Sequence, residues 1–210
     1  MSRAKDTLQK YLPENSIELV FKLLKAYPVQ LNIKTPRKTK LGDYRLPDKH
    51  GRHRISINNN LNPYAFLVTL IHEIAHLVAF EDFGRNIKPH GEEWQQTFRE
   101  LAQPFFEAQI FPEDIKKAFY SSLSKGHASS CTDLNLHRVL SSYDEGNTKK
   151  TLLENLPEGA IFAIDKKRVF RKGKLLRKRF LCEDVATKQL FRVHRLAEVI
   201  YVEQKETKSA

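Results

Sequence analysis

His72-Glu73-Ile74-Ala75-His76 stands inside a strongly apolar stretch, and His90 follows fourteen residues after His76. Two histidines four apart share one face of a helix, one turn above the other. Both imidazoles can then reach one tetrahedral Zn²⁺ at about 2.0–2.1 Å. Glu73 adjoins the first of them, where a carboxylate can take the proton of a metal-bound water. Zinc lowers the pKa of such a water to roughly 7, so hydroxide is available near neutral pH. A catalytic zinc uses three protein ligands and keeps its fourth position open. His90 is the candidate third ligand. Glu81, Asp82, Glu92 and Glu93 are alternative donors, while His50 and His53 lie upstream in a basic, polar loop.

The surrounding pattern predicts the elements that would position these groups. Asn62-Pro63 is a helix start, because Asn caps and Pro suits the first helical position. Gly84 is a helix stop. Between them Phe66, Leu67, Leu70, Ile71, Ile74, Leu77 and Val78 make the helix apolar nearly all round, which predicts burial. Two histidines and a glutamate buried there are costly unless paired or metal-bound. A membrane span is excluded by the same trio, which falls at the centre of the stretch. Pro89-His90-Gly91-Glu92-Glu93 reads as the start of a second helix, with acids at the positive end of its dipole. Trp94, Phe98 and Leu101 would form its buried stripe.

These segments resemble the SprT-like metallopeptidases, the family that includes the eukaryotic DNA-dependent protease Spartan. The resemblance rests on His72-Glu73-x-x-His76 and then His90-Gly91-Glu92-Glu93-Trp94. It rests also on Leu41-Gly42-Asp43-Tyr44 ahead of a basic strand, Arg54 to Asn58. It covers about Leu41 to Leu101, with looser similarity on both flanks. It implies that His72, His76 and His90 hold one Zn²⁺ per chain and that Glu73 is the catalytic glutamate. It also implies an α+β core of zincin type. Many relatives carry a zinc ribbon with two Cys pairs after this core. Here only Cys131 and Cys182 are present. The expectation is a ribbon-like, antiparallel β module without metal. A second zinc on Cys131, His137, Cys182 and His194 is the alternative, at spacings that match no familiar zinc signature.

The formal charge is +11, and it is concentrated. Residues 165–179 hold nine Lys/Arg and one acid, and residues 34–54 hold eight Lys/Arg and two acids. A single charge run usually means a solvated face. The later cluster, however, interleaves Val169, Phe170, Leu175, Leu176 and Phe180 with its charges, as a strand pair with one basic face does. Such a face can follow a phosphate backbone. The candidate contacts are Lys166, Lys167, Arg168, Arg171, Lys172, Lys174, Arg177, Lys178 and Arg179. Two cysteines are too few for a disulfide scaffold and point to a reducing compartment. Met1 to Tyr11 is polar and charged, unlike a secretory signal, so the cytoplasm is the expected location.

The domain expectation is a metallopeptidase domain over 1–125, a Gly- and Ser-rich linker over 126–149, a β module over 150–203 and a frayed tail over 204–210. Helices are predicted over Asp6–Tyr11, Glu14–Tyr27, Glu92–Gln103, from Pro112 to about Leu123, and over Asp133–Leu140 within the linker. Strands are predicted over Val29–Ile33, Arg54–Asn58, Ala160–Ile164, Arg168–Phe170, Leu176–Cys182, Leu190–Val193 and Val199–Val202. The expected function is zinc-dependent hydrolysis of peptide bonds in a protein or peptide substrate. Substrates held on DNA are implied by the Spartan resemblance alone. The rival is a nucleic-acid-binding or regulatory protein with a structural or weakly active zinc site, and Glu73 discriminates, because a structural site needs no adjacent carboxylate. Tyr44 is a candidate oxyanion stabiliser, with core packing as its other explanation. No membrane partner is expected.

Overall fold

The computed structural model describes residues 2–37, 40–125, 133–144, 150–164 and 168–202. The chain divides into two compact units, Met1–Glu145 and Gly146–Ala210.

The first unit is mixed α+β. Its elements are α1 (Ser2–Gln9), α2 (Ile17–Lys25), β1 (Val29–Lys34), β2 (Gly42–Arg45), β3 (His53–Asn58), α3 (Pro63–Phe83), α4 (Glu92–Glu107), α5 (Glu113–Ser124) and α6 (Leu134–Ser141). The three strands form one sheet in the order β1-β3-β2, with β1 parallel and β2 antiparallel to β3. Alternation along β3 turns Ile55 and Ile57 inward, where both are fully buried. Phe66, Leu67, Leu70, Ile71, Ile74 and Leu77 of α3 are buried in the same core with Trp94, Phe98, Phe105 and Phe119. Each such side chain contributes about 1.5–3 kcal/mol on burial.

The ends of α3 are set locally. The Asn62 side chain accepts a hydrogen bond from the Ala65 amide at 2.9 Å, Pro63 opens the helix, and Gly84 closes it at φ 77°. By length and composition α3 could cross a membrane, yet 67% of its most apolar window is buried inside the unit. Helix α4 runs one turn beyond its predicted end. Pro104 sits inside it, and the Pro104 carbonyl still accepts from the Ala108 amide at 3.0 Å. The segment expected as a linker carries α6, whose Leu136 and Leu140 lie in the first core. The Asn62 amide ties the two ends together by donating to the Leu140 carbonyl at 2.8 Å and to Asp144 at 2.6 Å.

The second unit is a six-stranded antiparallel sheet in the order β4-β9-β5-β6-β7-β8. Its strands are β4 (Lys150–Leu152), β5 (Ile161–Ile164), β6 (Arg168–Leu176), β7 (Arg179–Asp184), β8 (Leu190–His194) and β9 (Glu198–Tyr201). Leu153, Phe162, Phe170, Phe180, Cys182 and Val199 form its core. The β6–β7 turn falls at Arg177-Lys178, inside the segment expected as the strand Leu176–Cys182. Arg177 takes φ 54° there, a conformation usually announced by Gly or Asn. That turn therefore carried no signal in the sequence.

Candidate metal centre and basic faces

One turn of α3 carries His72, Glu73 and His76, and the turn before α4 supplies His90. The three imidazoles converge. Their Nε2 atoms stand 3.2 Å apart for His72 and His76 and 3.3 Å apart for His72 and His90. Nitrogens bound to one tetrahedral metal at 2.0–2.1 Å would be separated by about 3.3–3.4 Å. The spacing and the donor type therefore fit one metal ion. Among the described residues these three form the one group of three or more His, Cys or carboxylate side chains close enough to share a cation. Burial and the charge of their neighbours lower His72 to about 2 and His76 to about 4, and burial lowers His90. The rings are thus held neutral, which is the ligating form.

His90 reaches the cluster from a left-handed conformation, φ 61°. The turn is held by the Gly91 amide, which donates to the Lys88 carbonyl at 2.8 Å, and by Gln95 Nε2, which donates to the His90 carbonyl at 3.1 Å. Trp94 packs against all three rings at centroid distances of 4.8, 5.2 and 4.6 Å. It closes the apolar side of the site.

Glu73 is only 6% exposed. Burial and the Asp43 charge push its carboxyl up to about 8, against the Tyr44 amide, which donates to it, and the cations of Arg37 and Lys40. Strand β2 is what brings that amide in. Gly42 packs so tightly on α3 that an added Cβ would lie 2.6 Å from Glu73 Oε1 and 2.7 Å from Thr69 Cγ2. A Gly within a strand signals such close backbone approach. Here it explains the first half of the Leu41-Gly42-Asp43-Tyr44 motif.

The alternative donors are engaged elsewhere or stand apart. His53 is buried behind the site, with Nδ1 3.0 Å from the Tyr44 hydroxyl and Nε2 3.2 Å from Glu81. The Tyr44 ring lies nearly parallel to His76, 6.2 Å between centroids. Its hydroxyl is committed to His53, so packing and positioning account for Tyr44 better than oxyanion binding does. The Glu81–His53–Tyr44 chain was missed at the level of sequence. Its members are scattered over three elements, and His53, expected in a polar loop, instead opens β3 and is buried.

In the second unit the basic residues divide by face. Cross-strand partners share a face, and Arg171 pairs Glu183, Arg179 pairs His194 and Leu181 pairs Arg192. Arg171, Arg179 and Arg192 therefore stand together on the outer face, all exposed. Lys174, Arg177 and Lys178 are also exposed, at and beside the turn. Arg192 was not among the expected contacts, although the alternation Phe191-Arg192-Val193 carries it. One expected contact needs correction, and a second, Arg168, is exposed but already ion-paired. Lys172 is 5% exposed, its Nζ donates to the carbonyls of Glu154 and Leu156, and it lies 4.0 Å from the centre of the Phe180 ring. Burial pulls its pKa down. A lysine turned into the core cannot meet a phosphate. Arg168 is clamped, donating to Asp184 at 2.7 and 3.0 Å and lying against the rings of Phe170 and Phe191. Lys166 and Lys167 lie outside the described residues, as does Cys131. Cys182 is buried in the sheet, three positions from Arg179 along β7 and hence on the opposite face from His194. Those two cannot share a cation.

The sequence profile of the SprT-like family matches residues 8–115. The chain belongs to the SprT-like family. Among its relatives, Protein SprT of Pseudomonas fluorescens (strain SBW25) is 58% identical over 31 residues, 15% of this chain and 19% of that protein. Protein SprT of Pseudomonas aeruginosa (strain LESB58) is likewise 58% identical over 31 residues, with the same coverage. The match thus spans about a fifth of the length of these curated relatives. No solved structure matches the chain significantly. The family match over residues 8–115 holds the whole histidine cluster, Glu73 and β2, and it ends before the second unit.

Proposed function

We propose that this SprT-like protein is a zinc-dependent endopeptidase with a zincin-type core, acting in the cytoplasm on proteins associated with nucleic acid. One observation carries the catalytic reading. A buried carboxylate, Glu73, sits on the same helical turn as two of three converging imidazoles, and a strand amide orients it. A purely structural metal site has no use for that carboxylate, whose burial is costly.

His72, His76 and His90 would hold the ion. Zinc there would supply Lewis-acid polarisation of a carbonyl and a water acidic enough to react near neutral pH. The chain's own part is proton handling. Glu73 takes a proton from the attacking water and delivers it to the leaving amine. The Tyr44 amide keeps the carboxylate aimed, and Trp94 shields the site from bulk water on one side. The exposed arginines of the second unit support the nucleic-acid part of the reading, since phosphate contacts supply most of sequence-independent affinity.

The test is Glu73→Gln in the full chain. Gln is nearly isosteric and cannot act as a base. Zinc content should stay at one per chain, while cleavage of a DNA-binding protein falls on the order of 10²–10⁴-fold. His90→Ala should instead lose the metal. Equal cleavage rates for wild type and Glu73→Gln would defeat the catalytic reading.

A further inference from the structure

We propose, building on the peptidase reading, that His53 is a positioning residue: it holds the Tyr44 hydroxyl, and through Tyr44 the backbone amide that aims Glu73.

The ladder shows why Tyr44 needs an anchor. The Asn58 amide donates to the Leu41 carbonyl at 2.9 Å. Antiparallel ladder bonds recur at alternate residues. Asp43 and Arg45 therefore bond to β3, whereas Gly42 and Tyr44 turn their backbone groups away from it. Among the described residues β2 is an edge strand, with no neighbour to receive those groups. The Tyr44 amide donates to the Glu73 carboxylate instead. One bond from an edge strand of four residues aims a side chain poorly unless something else fixes the strand.

His53 fixes it. Alternation along β3 turns His53 inward with Ile55 and Ile57. Tyr44 pairs Ile55, so His53 is its diagonal neighbour on the face toward α3. His53 is 1% exposed and bridges two elements. Its Nε2 stands 3.2 Å from Glu81 of α3, and its Nδ1 stands 3.0 Å from the Tyr44 hydroxyl of β2. These partners dictate the tautomer. An ionised carboxylate only accepts, so Nε2 carries the proton and Nδ1 accepts from Tyr44. The Phe80 ring meets the imidazole edge-on, at 71° and 5.9 Å between centroids, and holds its plane.

The bonds close a loop. Glu81 lies about two turns beyond Glu73 on the same helix. From α3 the chain of contacts runs through Glu81 to His53 on β3, then to Tyr44 on β2, and back to Glu73 on α3. Helix and edge strand are braced at both ends. The direction of the Glu73 carboxylate is thereby tied to a histidine that touches neither the imidazole cluster nor any substrate.

Amide exchange followed by NMR in the full metal-free chain measures the positioning without any cleavage. Tyr44→Phe keeps ring and amide and removes only the hydroxyl. His53→Leu removes the bridge, and His53→Gln supplies one donor and one acceptor in its place. The amide of residue 44 should exchange about tenfold faster in Tyr44→Phe and in His53→Leu, a ratio within reach of one hydrogen bond. The Ile55 and Ile57 amides, which face β1, should exchange as in wild type. His53→Gln should recover most of the protection. In the zinc-loaded protein, kcat for a DNA-binding protein should fall about tenfold in Tyr44→Phe with KM and zinc content unchanged, again the share of one bond. Should His53→Leu fail to fold, Tyr44→Phe reads the same bond. Unchanged exchange at residue 44 would overturn the proposal. Equal acceleration along β3 would overturn it too, because His53 would then only support the fold. So would faster exchange at residue 44 with kcat held, since Glu73 would take its aim from elsewhere. A wild type that cleaves nothing would defeat the peptidase reading, and the exchange pattern would still decide whether His53 holds the Tyr44 amide.

Discussion

Burial and the Asp43 charge favour the protonated form of Glu73 in the metal-free protein, with a carboxyl value of about 8 against 4.5 ordinarily. An acid whose pKa is higher folded than unfolded holds its proton more tightly when folded. Its contribution to stability therefore declines as pH rises from about 4.5 to about 8. His72 and His76 act in the opposite sense. Their values fall from 6.5 to about 2 and about 4, so the unfolded chain takes up protons that the folded chain refuses. Stability then rises with pH up to about 6.5. Together these groups place the site's best pH near 6.5, with Glu73 alone responsible for the decline above it. In EDTA, the Tm of wild type should fall between pH 6.5 and 8, and that of Glu73→Gln should stay level over the same range. Parallel curves would show that Glu73 is not strained. Zinc should raise Tm by mass action and flatten the decline, because a cation on the imidazoles favours the carboxylate. The His72–His76 pair was readable from spacing alone, since i,i+4 pairing is a property of the helix and needs no tertiary information, whereas His90 was one candidate third donor among several until the fold brought its ring to the pair. The environment of Glu73 was not readable. It depends on a strand thirty residues upstream in sequence, and no local pattern states how closely that strand packs.

Among the elements, α3 announced both its ends in its own residues, through Asn62-Pro63 and Gly84, and its apolar run announced its burial. Strand β2 announced neither. It is four residues long, and its charged partners Asp43 and Arg45 belong to the outer face of an edge strand. Helix α6 was readable as a helix but not as part of the first unit, because its docking depends on Asn62, far away in the chain. The contact between β2 and α3 can be tested at Gly42. Ala there would bring a methyl group to within 2.6 Å of Glu73 Oε1. Overpacking of this kind costs about 1–3 kcal/mol, relieved here by moving the edge strand outward. The Tyr44 amide would then leave the carboxylate. Gly42→Ala should keep its zinc, since no ligand lies on β2, yet lose most of its peptidase rate. A variant that loses metal and activity together would mean that β2 supports the histidines as well. Wild-type rates would mean that the strand plays no part in aiming Glu73.

At the scale of the whole molecule, a charge of +11 is a statement about partners and solubility, not about fold. The composition showed where the positive residues cluster. It could not show which of them face solvent, because a β-bulge or a shifted turn moves side chains between faces. The β6–β7 ladder has such an irregularity between Lys172 and Leu175. That irregularity sets the faces beyond Lys172, whereas Arg171 and Lys172 before it differ by ordinary alternation, one nitrogen exposed and the other buried among carbonyls. Two variants separate their roles. Lys172→Met keeps the length of the side chain but removes the donor, leaving the Glu154 and Leu156 carbonyls short of a partner. A buried group left unpaired costs about 1–3 kcal/mol. Lower Tm with an unchanged salt slope for DNA binding is expected. Arg171→Glu with Arg179→Glu should do the reverse, because both lie on the exposed face of the sheet. Tm should hardly move, and the slope should become shallower by about 1.4–1.8 for two lost phosphate contacts. If Lys172→Met changes the slope while the arginine pair does not, nucleic acid meets this unit on the opposite face of the sheet.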